Sequence, residues 1–330
     1  MANAKHLKAL VESYLEGDER RFYSVAMQAA AHEARLGHGD LAEELRSLID
    51  AGKSKALAGA SAAVPIARPR GELSSLLSVS YPKTRFADMV LPTKLREQLG
   101  RVIREQRHAG RILEHGLAPR RKLLLVGAPG TGKTMTASAL AGELGMPLFQ
   151  VRLDGLLTKF LGETAAKLRQ IFDATGHTRG VYFFDEFDAI GSQRGLTNDV
   201  GEIRRVLNSF LQMIEQDQSH GLIIAATNHP EILDYALLRR FDDVLHYSLP
   251  SRSQIVELLR ARSGLVVNTR AGWSSLASLA RGLSYSEIAR AVEDVQKASL
   301  ISGDMGVTRT SLEAALGERQ DIAGRLKKRR

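Results

Sequence analysis

Cysteine is absent from the 330 residues of the sequence. This absence excludes disulfides, thiolate metal sites and a cysteine nucleophile. Long apolar runs are also absent, since no stretch approaches the roughly 20 apolar residues that a membrane-spanning helix needs. The first residues, MANAKHLKAL, lack the apolar centre of a secretory signal. We therefore expect a cytoplasmic protein that has no membrane partner.

Charge of one sign is in excess, because 46 Lys and Arg residues face 37 Asp and Glu residues, a formal net charge of +9. Clustered basic residues neutralise nucleic-acid phosphates, so a nucleic-acid partner stays an alternative. The densest basic run, however, is the C-terminal segment Arg325–Arg330, and a basic tail is more typical of a solvated chain end. Hydrophobic residues at 44% and charged residues at 25% are otherwise typical of globular domains.

The first 52 residues have helical periodicity throughout, with apolar residues three and four positions apart. Gly17-Asp18 and the segment Gly37–Asp40 each offer a helix end followed by an N-cap. We therefore predict an N-terminal three-helix bundle over residues 1–52. Residues 53–80 are rich in Ala, Ser, Gly and Pro, which predicts a flexible linker.

Residues 81–250 alternate short apolar runs with longer amphipathic stretches, which is typical of parallel strands covered by helices. This α/β pattern predicts a parallel five-stranded sheet with strands at Lys122–Val126, Leu148–Arg152, Val181–Phe184, Leu222–Ala226 and Val244–Leu249. Residues 251–330 show helical periodicity alone. A small helical lid is therefore expected after the sheet.

The segment Gly127-Ala128-Pro129-Gly130-Thr131-Gly132-Lys133-Thr134 fits the phosphate-loop (Walker A) pattern G-x-x-x-x-G-K-[ST]. Its glycines let backbone amides surround phosphates, and the following helix N-terminus adds partial positive charge. We expect Lys133 to reach the outer phosphates of ATP and the Thr134 hydroxyl to bind Mg²⁺. The alternative, a glycine-rich turn with an incidental lysine, is disfavoured by the strand before the segment and the helical run after it. The sequence therefore predicts a P-loop ATPase.

Two adjacent acids, Asp185 and Glu186, directly follow the apolar run Val181–Phe184. We expect Asp185 to hold the magnesium shell and Glu186 to orient and polarise the attacking water. The alternative is a buried strand followed by a solvated acidic turn. Beside a phosphate loop, the pair favours Mg²⁺-dependent hydrolysis of ATP to ADP and phosphate.

These two motifs, with the segments that follow them, resemble the AAA family of ring-forming ATPases over about residues 81–300. In that family an asparagine closes the next strand and helps to position the water, and here the run LIIAATN ends in Asn228. The alternative is an Asn turn before His229-Pro230. The resemblance implies a homo-oligomer, usually a hexamer, with ATP at each subunit interface.

The segment Leu233–Asp242 resembles the part of the family that donates arginine fingers to the ATP of the neighbouring subunit. Arginine suits this task because its planar, always-charged fork stabilises a transferring phosphoryl group. The commoner pattern separates the two arginines by Pro-Gly, whereas Arg239 and Arg240 are adjacent. Which of the two contacts phosphate is left open, and an exposed basic helix end is the alternative.

The segment Leu153–Glu163 is similar to the first pore loop of the family, with Lys159, Phe160, Leu161 and Gly162 matching its basic, aromatic, aliphatic and glycine core. An aromatic ring on such a loop grips any extended polypeptide by nonpolar contact. The resemblance therefore implies threading of a protein client. The alternative is that Phe160 packs into the core.

Two further segments resemble parts of the family that surround the nucleotide. Phe86–Val90 stands where the base-contacting segment is expected, and Gly282–Ile288 is similar to the element that opens a lid helix over the nucleotide. Tyr285, Ser286 and Glu287 depart from that element. Arg290, one turn further on, is a candidate to reach the nucleotide.

Two functions are carried forward from the sequence. The first is an ATP-driven protein remodeller or unfoldase whose N-terminal bundle selects clients or adaptors, with a separately encoded protease as a further partner. The second is a nucleic-acid-associated motor such as a helicase loader, for which the basic charge is the argument. Hydrolysis stimulated by DNA and steeply weakened by salt distinguishes the second from the first.

Overall fold

A computed structural model describes residues 12–13, 19–39, 41–47, 49, 69, 71–156, 161–187, 200–229, 238–263, 272–302 and 306–327. The chain divides into two units, Met1–Ile66 and Ala67–Arg330. The sheet and the helices that carry the phosphate loop and the lid all belong to the second unit.

The N-terminal unit contains helix α1, Glu19–Arg35, which lies between the two breaks that the sequence predicts. Gly37 follows the helix with φ +85°, a left-handed conformation that suits glycine at a helix C-terminus. Residues 41–47 are again helical. The three-helix bundle stays a prediction, because most of the residues assigned to its first helix lie outside the described part of the chain.

The sheet of the second unit consists, within the described residues, of six strands in the order β1-β3-β4-β5-β2-β6. The strands are β1 Leu77–Ser80, β2 Lys122–Gly127, β3 Leu148–Val151, β4 Val181–Phe184, β5 Leu222–Thr227 and β6 Asp243–Tyr247. Strands β2 to β6 pair in parallel, whereas β1 pairs antiparallel with β3. The α/β class and the five predicted strands are confirmed.

The sixth strand corrects the sequence prediction, because Leu77–Ser80 lies within the segment assigned to a flexible linker. The short helix α2, Leu73–Leu76, precedes it and also lies in that segment. Leu76 and Leu77 are almost fully buried and join the apolar cluster on one face of the sheet. Composition alone missed this edge strand because few apolar residues suffice to attach it. Residues 53–68 lie outside the described part.

The helices of the second unit cover both faces of the sheet. Their bounds are α3 Thr93–Arg107, α4 Ala109–Glu114, α5 Lys133–Leu144, α6 Leu153–Leu156, α7 Leu161–His177 and α8 Val200–Gln216, with a 3₁₀ turn at Phe86–Asp88. Leu124 and Val126 of β2 face a cluster shared with α7 and α8, whereas Leu123 and Leu125 face a cluster shared with α3 and α5. This alternation explains why the strands read as continuous apolar runs.

The C-terminal lid is helical in the described residues, as the sequence predicts. Its helices are α9 Arg252–Ser263, α10 Trp273–Leu279, α11 Tyr285–Ser302 and α12 Arg309–Lys327. They share a separate apolar core that includes Leu259, Leu276, Ile288 and Leu312.

None of the helices in the described ranges has the length and apolar character needed to cross a lipid bilayer. The cytoplasmic location stays a prediction.

Candidate active site

Three parallel strands deliver the predicted site residues to one edge of the sheet. The phosphate loop follows β2, Asp185 and Glu186 follow β4, and Asn228 follows β5. Because β5 lies between β4 and β2, Asn228 stands between the acids and the loop. The carboxyl edge of a parallel sheet is where open α/β folds bind ligands.

The phosphate loop has a backbone that glycine permits. Gly130 and Gly132 adopt φ +73° and +103°, in the left-handed region. A Cβ atom at Gly130 would lie 2.6 Å from Ser284 Oγ, and one at Gly127 would lie 2.3 Å from the carbonyl oxygen of Tyr247. The glycines therefore serve conformation and close packing as well as access for phosphate.

Lys133 opens helix α5 and is only 6% exposed. Its Nζ donates to the carbonyl oxygens of Gly127 at 2.7 Å and Ala128 at 3.0 Å, and to Oδ1 of Asn228 at 2.8 Å. The ammonium group is thus held over the loop by oxygen acceptors. The hydrogen bond to Asn228 also joins the lysine to the end of the neighbouring strand, β5.

The acidic pair meets the loop through Thr134, whose Oγ1 donates to Oδ2 of Asp185 at 2.8 Å. Glu186 has φ +48°, and it alone among the described non-glycine residues adopts a positive φ. Such a backbone is strained for a residue with a Cβ and is typical of functional positions. The next residue, Phe187, is fully buried, and its N–H donates to the carbonyl of Ala226 at 2.8 Å, which fixes the turn.

The phosphate loop, Asp185, Glu186 and Asn228 line one cavity of about 500 Å³ between the sheet edge and the lid. The loop contributes Pro129 to Met135, and the acids and Asn228 close one side. The remaining lining residues come from the segment before α3 and from the lid, and they are Asp88, Met89, Val90, Leu258, Arg262, Tyr285, Ser286, Ala289, Arg290 and Glu293.

The lid touches the phosphate loop directly at the start of α11. The N–H of Ser286 donates to the carbonyl of Gly130 at 3.1 Å. Ser284 and Glu287 form a reciprocal cap, in which the Ser284 N–H donates to the Glu287 carboxylate at 2.6 Å and the Glu287 N–H donates to Ser284 Oγ at 3.3 Å. Glu287, which departs from the family element, therefore fixes the helix end that meets the loop.

Some predicted residues are not brought into this cavity. Arg239 and Arg240 are not among its described lining residues. Arg240 Nε instead donates to Oε2 of Glu215 on α8 at 3.2 Å. Lys159 and Phe160 lie outside the described residues, and Leu161 begins α7.

Several lid residues of the cavity were missed as site residues, among them Arg262, Tyr285 and Glu293. In the sequence, Tyr285 stands out only as a departure from a family element. Burial, followed by the charge of Glu257, raises the pKa of its hydroxyl to about 12. Helical periodicity identifies the helices that carry these residues but not the face that turns toward the loop. The position of the lid against the sheet was needed to find them.

The residues present fit a magnesium ion. Mg²⁺ prefers oxygen ligands and usually binds through one or two carboxylates together with substrate phosphates. The Thr134 hydroxyl and the Asp185 carboxylate, in contact at the mouth of the phosphate loop, supply a pair of such oxygens. Thr134 and Asp185 are therefore the residues that would hold it.

A strand, a glycine loop and a helix N-terminus, opposite acids from a neighbouring strand, define a P-loop nucleoside triphosphatase. The model of the ATPase family associated with various cellular activities (AAA) matches residues 123–249. A relative from Sinorhizobium fredii, described as an uncharacterized AAA family ATPase y4kL, is 36% identical over 98% of this chain and 97% of its own length. This chain therefore belongs to the AAA family; it binds nucleotide and hydrolyses ATP.

Other relatives are longer than this chain. The ATP-dependent zinc metalloprotease FtsH 3 of Sphaerobacter thermophilus is 33% identical over 75% of this chain, which covers 52% of that protein. The FtsH metalloprotease of Acidothermus cellulolyticus is 33% identical over 81% of this chain, which covers 42% of it. The chain thus spans about half or less of these relatives, and the resemblance to the AAA family is confirmed.

Proposed function

We propose that this chain is a ring-forming protein remodeller that uses ATP hydrolysis to pull on or disassemble client proteins. The observation that carries the proposal is the single cavity that brings together Lys133, Asp185, Glu186 and Asn228. The metalloprotease relatives, which are ATP-dependent by name, support a protein client.

Each residue of the cavity has a role in the proposed reaction. The loop amides and Lys133 hold the phosphates, and Thr134 and Asp185 would hold a magnesium ion, which would neutralise phosphate charge. Glu186 orients and polarises the attacking water, and Asn228 helps to position it. Hydrolysis depends on such positioning because phosphoryl transfer leaves little covalent chemistry to the protein.

The proposed active unit is a homo-oligomer, most simply a hexamer. The two candidate arginine fingers, Arg239 and Arg240, do not line the cavity of their own chain within the described residues. A neighbouring copy that contributes Arg239 or Arg240 completes the site. This arrangement makes hydrolysis depend on assembly.

Client handling is assigned to two other parts of the chain. The loop with Lys159, Phe160 and Leu161 is proposed to grip an extended client in the pore of the ring. The N-terminal bundle predicted over residues 1–52 is proposed to recruit clients or an adaptor, and a separately encoded protease is a proposed partner for degradation.

Replacing Lys133 by alanine tests the nucleotide site. The variant should hydrolyse ATP about 100-fold more slowly, because it lacks the preorganised positive charge of the lysine that stabilises the phosphates. Release of phosphate from purified protein measures this effect. Since the side chain is buried among three oxygen acceptors, thermal unfolding should be recorded in parallel to show that the variant folds. A Lys133→Ala variant that is folded and hydrolyses ATP at the parental rate would refute the site.

Replacing Phe160 by alanine tests threading separately from hydrolysis. ATPase activity should stay within about twofold of the parent, whereas ATP-dependent unfolding of a client should be lost, because the aromatic grip is removed. Phe160→Tyr keeps the ring and serves as the matched control, which should retain unfolding. Undiminished unfolding by Phe160→Ala would contradict the threading mechanism.

A further inference from the structure

Tyr247, the last residue of β6, lies beside the phosphate loop and has no assigned role. It is 6% exposed, and its hydroxyl donates to Oγ1 of Thr136 at 2.7 Å. Thr136 lies on the first turn of α5, the helix that begins at Lys133. The pair is thus a buried hydrogen bond between the sheet and the phosphate-loop helix.

Thr136 carries this contact on to the loop itself. Its Oγ1 donates to the carbonyl of Gly132 at 3.0 Å, and its N–H donates to the same carbonyl at 2.9 Å. Because the Thr136 hydroxyl donates its one proton to the Gly132 carbonyl, the Tyr247 hydroxyl is the donor in the bond between the two side chains. Burial raises the pKa of Tyr247 well above its ordinary value, so the hydroxyl keeps its proton at neutral pH.

The other end of the loop rests on the same residue. Gly127 pairs with Tyr247 in the register of β2 and β6. A Cβ atom at Gly127 would lie 2.3 Å from the Tyr247 carbonyl oxygen and 2.8 Å from its Cβ. Tyr247 therefore abuts the first residue of the loop directly and reaches its last glycine through Thr136.

Tyr247 also stands where the sheet leads into the lid. Residues 248–251 separate it from helix α9, which begins at Arg252. Helix α9 supplies Leu258 and Arg262 to the nucleotide cavity. The residue that supports the loop is therefore only a short connection away from the first lid helix.

We propose that Tyr247, acting through Thr136, is a positioning residue that holds the phosphate loop in its binding conformation and ties it to the strand that leads into the lid. The inference rests on the proposed nucleotide site. It attributes part of the affinity for nucleotide to the hydroxyl group of Tyr247, although Tyr247 is not among the described residues that line the cavity.

The test is Tyr247→Phe, which removes only the hydroxyl. Titration calorimetry with ADP should show a Kd about fivefold higher than the parent, the factor that roughly 1 kcal/mol, typical of one hydrogen bond, produces. In steady-state ATPase assays, KM for ATP should rise by more than kcat falls. A purely structural role would lower the melting temperature and leave Kd unchanged.

Tyr182→Phe is the matched control. Tyr182 is fully buried in the same sheet. Its hydroxyl lies 2.9 Å from the carbonyl oxygen of Ala174, on α7, and 2.9 Å from that of Thr178, which directly follows α7. These contacts are remote from the phosphate loop. Both variants should melt at lower temperature than the parent, but only Tyr247→Phe should bind ADP more weakly. Equal ADP affinity of Tyr247→Phe and the parent would overturn the proposal.

Variants of Thr136 keep the proposal testable if Tyr247→Phe does not fold. Thr136→Val should weaken ADP binding, whereas Thr136→Ser, which keeps the hydroxyl, should restore it. Where all variants fold, Tyr247→Phe added to Thr136→Val should cause no further loss, because one hydrogen-bond chain is already broken. Additive losses would overturn the relay. Failure of the parent itself to bind ADP would instead refute the nucleotide site on which the inference rests.

Discussion

Replacing Arg239 and Arg240 together by alanine should lower ATPase activity about 1,000-fold or more, the range in which arginine fingers act. The expected cause is loss of the positive charge with which a neighbouring copy stabilises the transferring phosphoryl group. ADP binding should change little, because neither arginine is among the described residues that line the cavity of its own chain. Phosphate release and calorimetry measure the two effects, and the single variants show which arginine contacts phosphate.

A mixing experiment shows whether the arginines act between copies. The double arginine variant has an intact phosphate loop, and the Lys133→Ala variant has intact arginines, so each lacks what the other supplies. Mixed rings should therefore hydrolyse ATP faster than either variant alone. A mixture no more active than its components would contradict a site shared between copies.

Glu215→Ala is the control for the arginine variants. Glu215 pairs with Arg240 Nε at 3.2 Å but is 63% exposed, so the pair contributes little to stability. Removing this acid leaves both arginines in place, and activity should stay near that of the parent. A loss as large as that of the arginine variants would show that the ion pair with Glu215, rather than contact with phosphate, explains their effect.

Replacing Glu186 by glutamine should lower turnover about 100- to 10,000-fold, the range expected when a group that activates water is lost. ADP and ATP should still bind, because the phosphate loop, Lys133 and the contact of Thr134 with Asp185 do not depend on this carboxylate. The substitution keeps the size of the side chain and the left-handed backbone at this position, φ +48°. Single-turnover hydrolysis and nucleotide titration separate the two properties.

The same variant offers a way to identify the client. A ring that binds ATP without hydrolysing it should stay closed on whatever it processes, so proteins retained by Glu186→Gln and absent from Lys133→Ala are client candidates. DNA retained instead of protein would favour the nucleic-acid motor. Parental turnover by Glu186→Gln would remove this residue from the chemistry.

Much of the fold could be predicted from the sequence because the patterns that indicate its strands are local. The five parallel strands are short apolar runs with residues buried on both faces, and the structure confirms each within a few residues. The edge strand Leu77–Ser80 was missed because only Leu77 among its residues is buried, a pattern too weak to stand out in a segment rich in Ala and Ser. Helix α2, which directly precedes this strand, was missed for the same reason, since Leu76 is its one buried residue.

The sequence by itself determined the phosphate loop, the acidic pair after β4 and the asparagine after β5, since each depends on residues adjacent in the chain. Only the tertiary structure decided which lid residues, such as Arg262 and Glu293, face the cavity, because helical periodicity does not say what a helix packs against. It also joined Tyr247 to Thr136, 111 positions apart. Such a contact depends on strand order and helix packing, which no short segment of sequence contains.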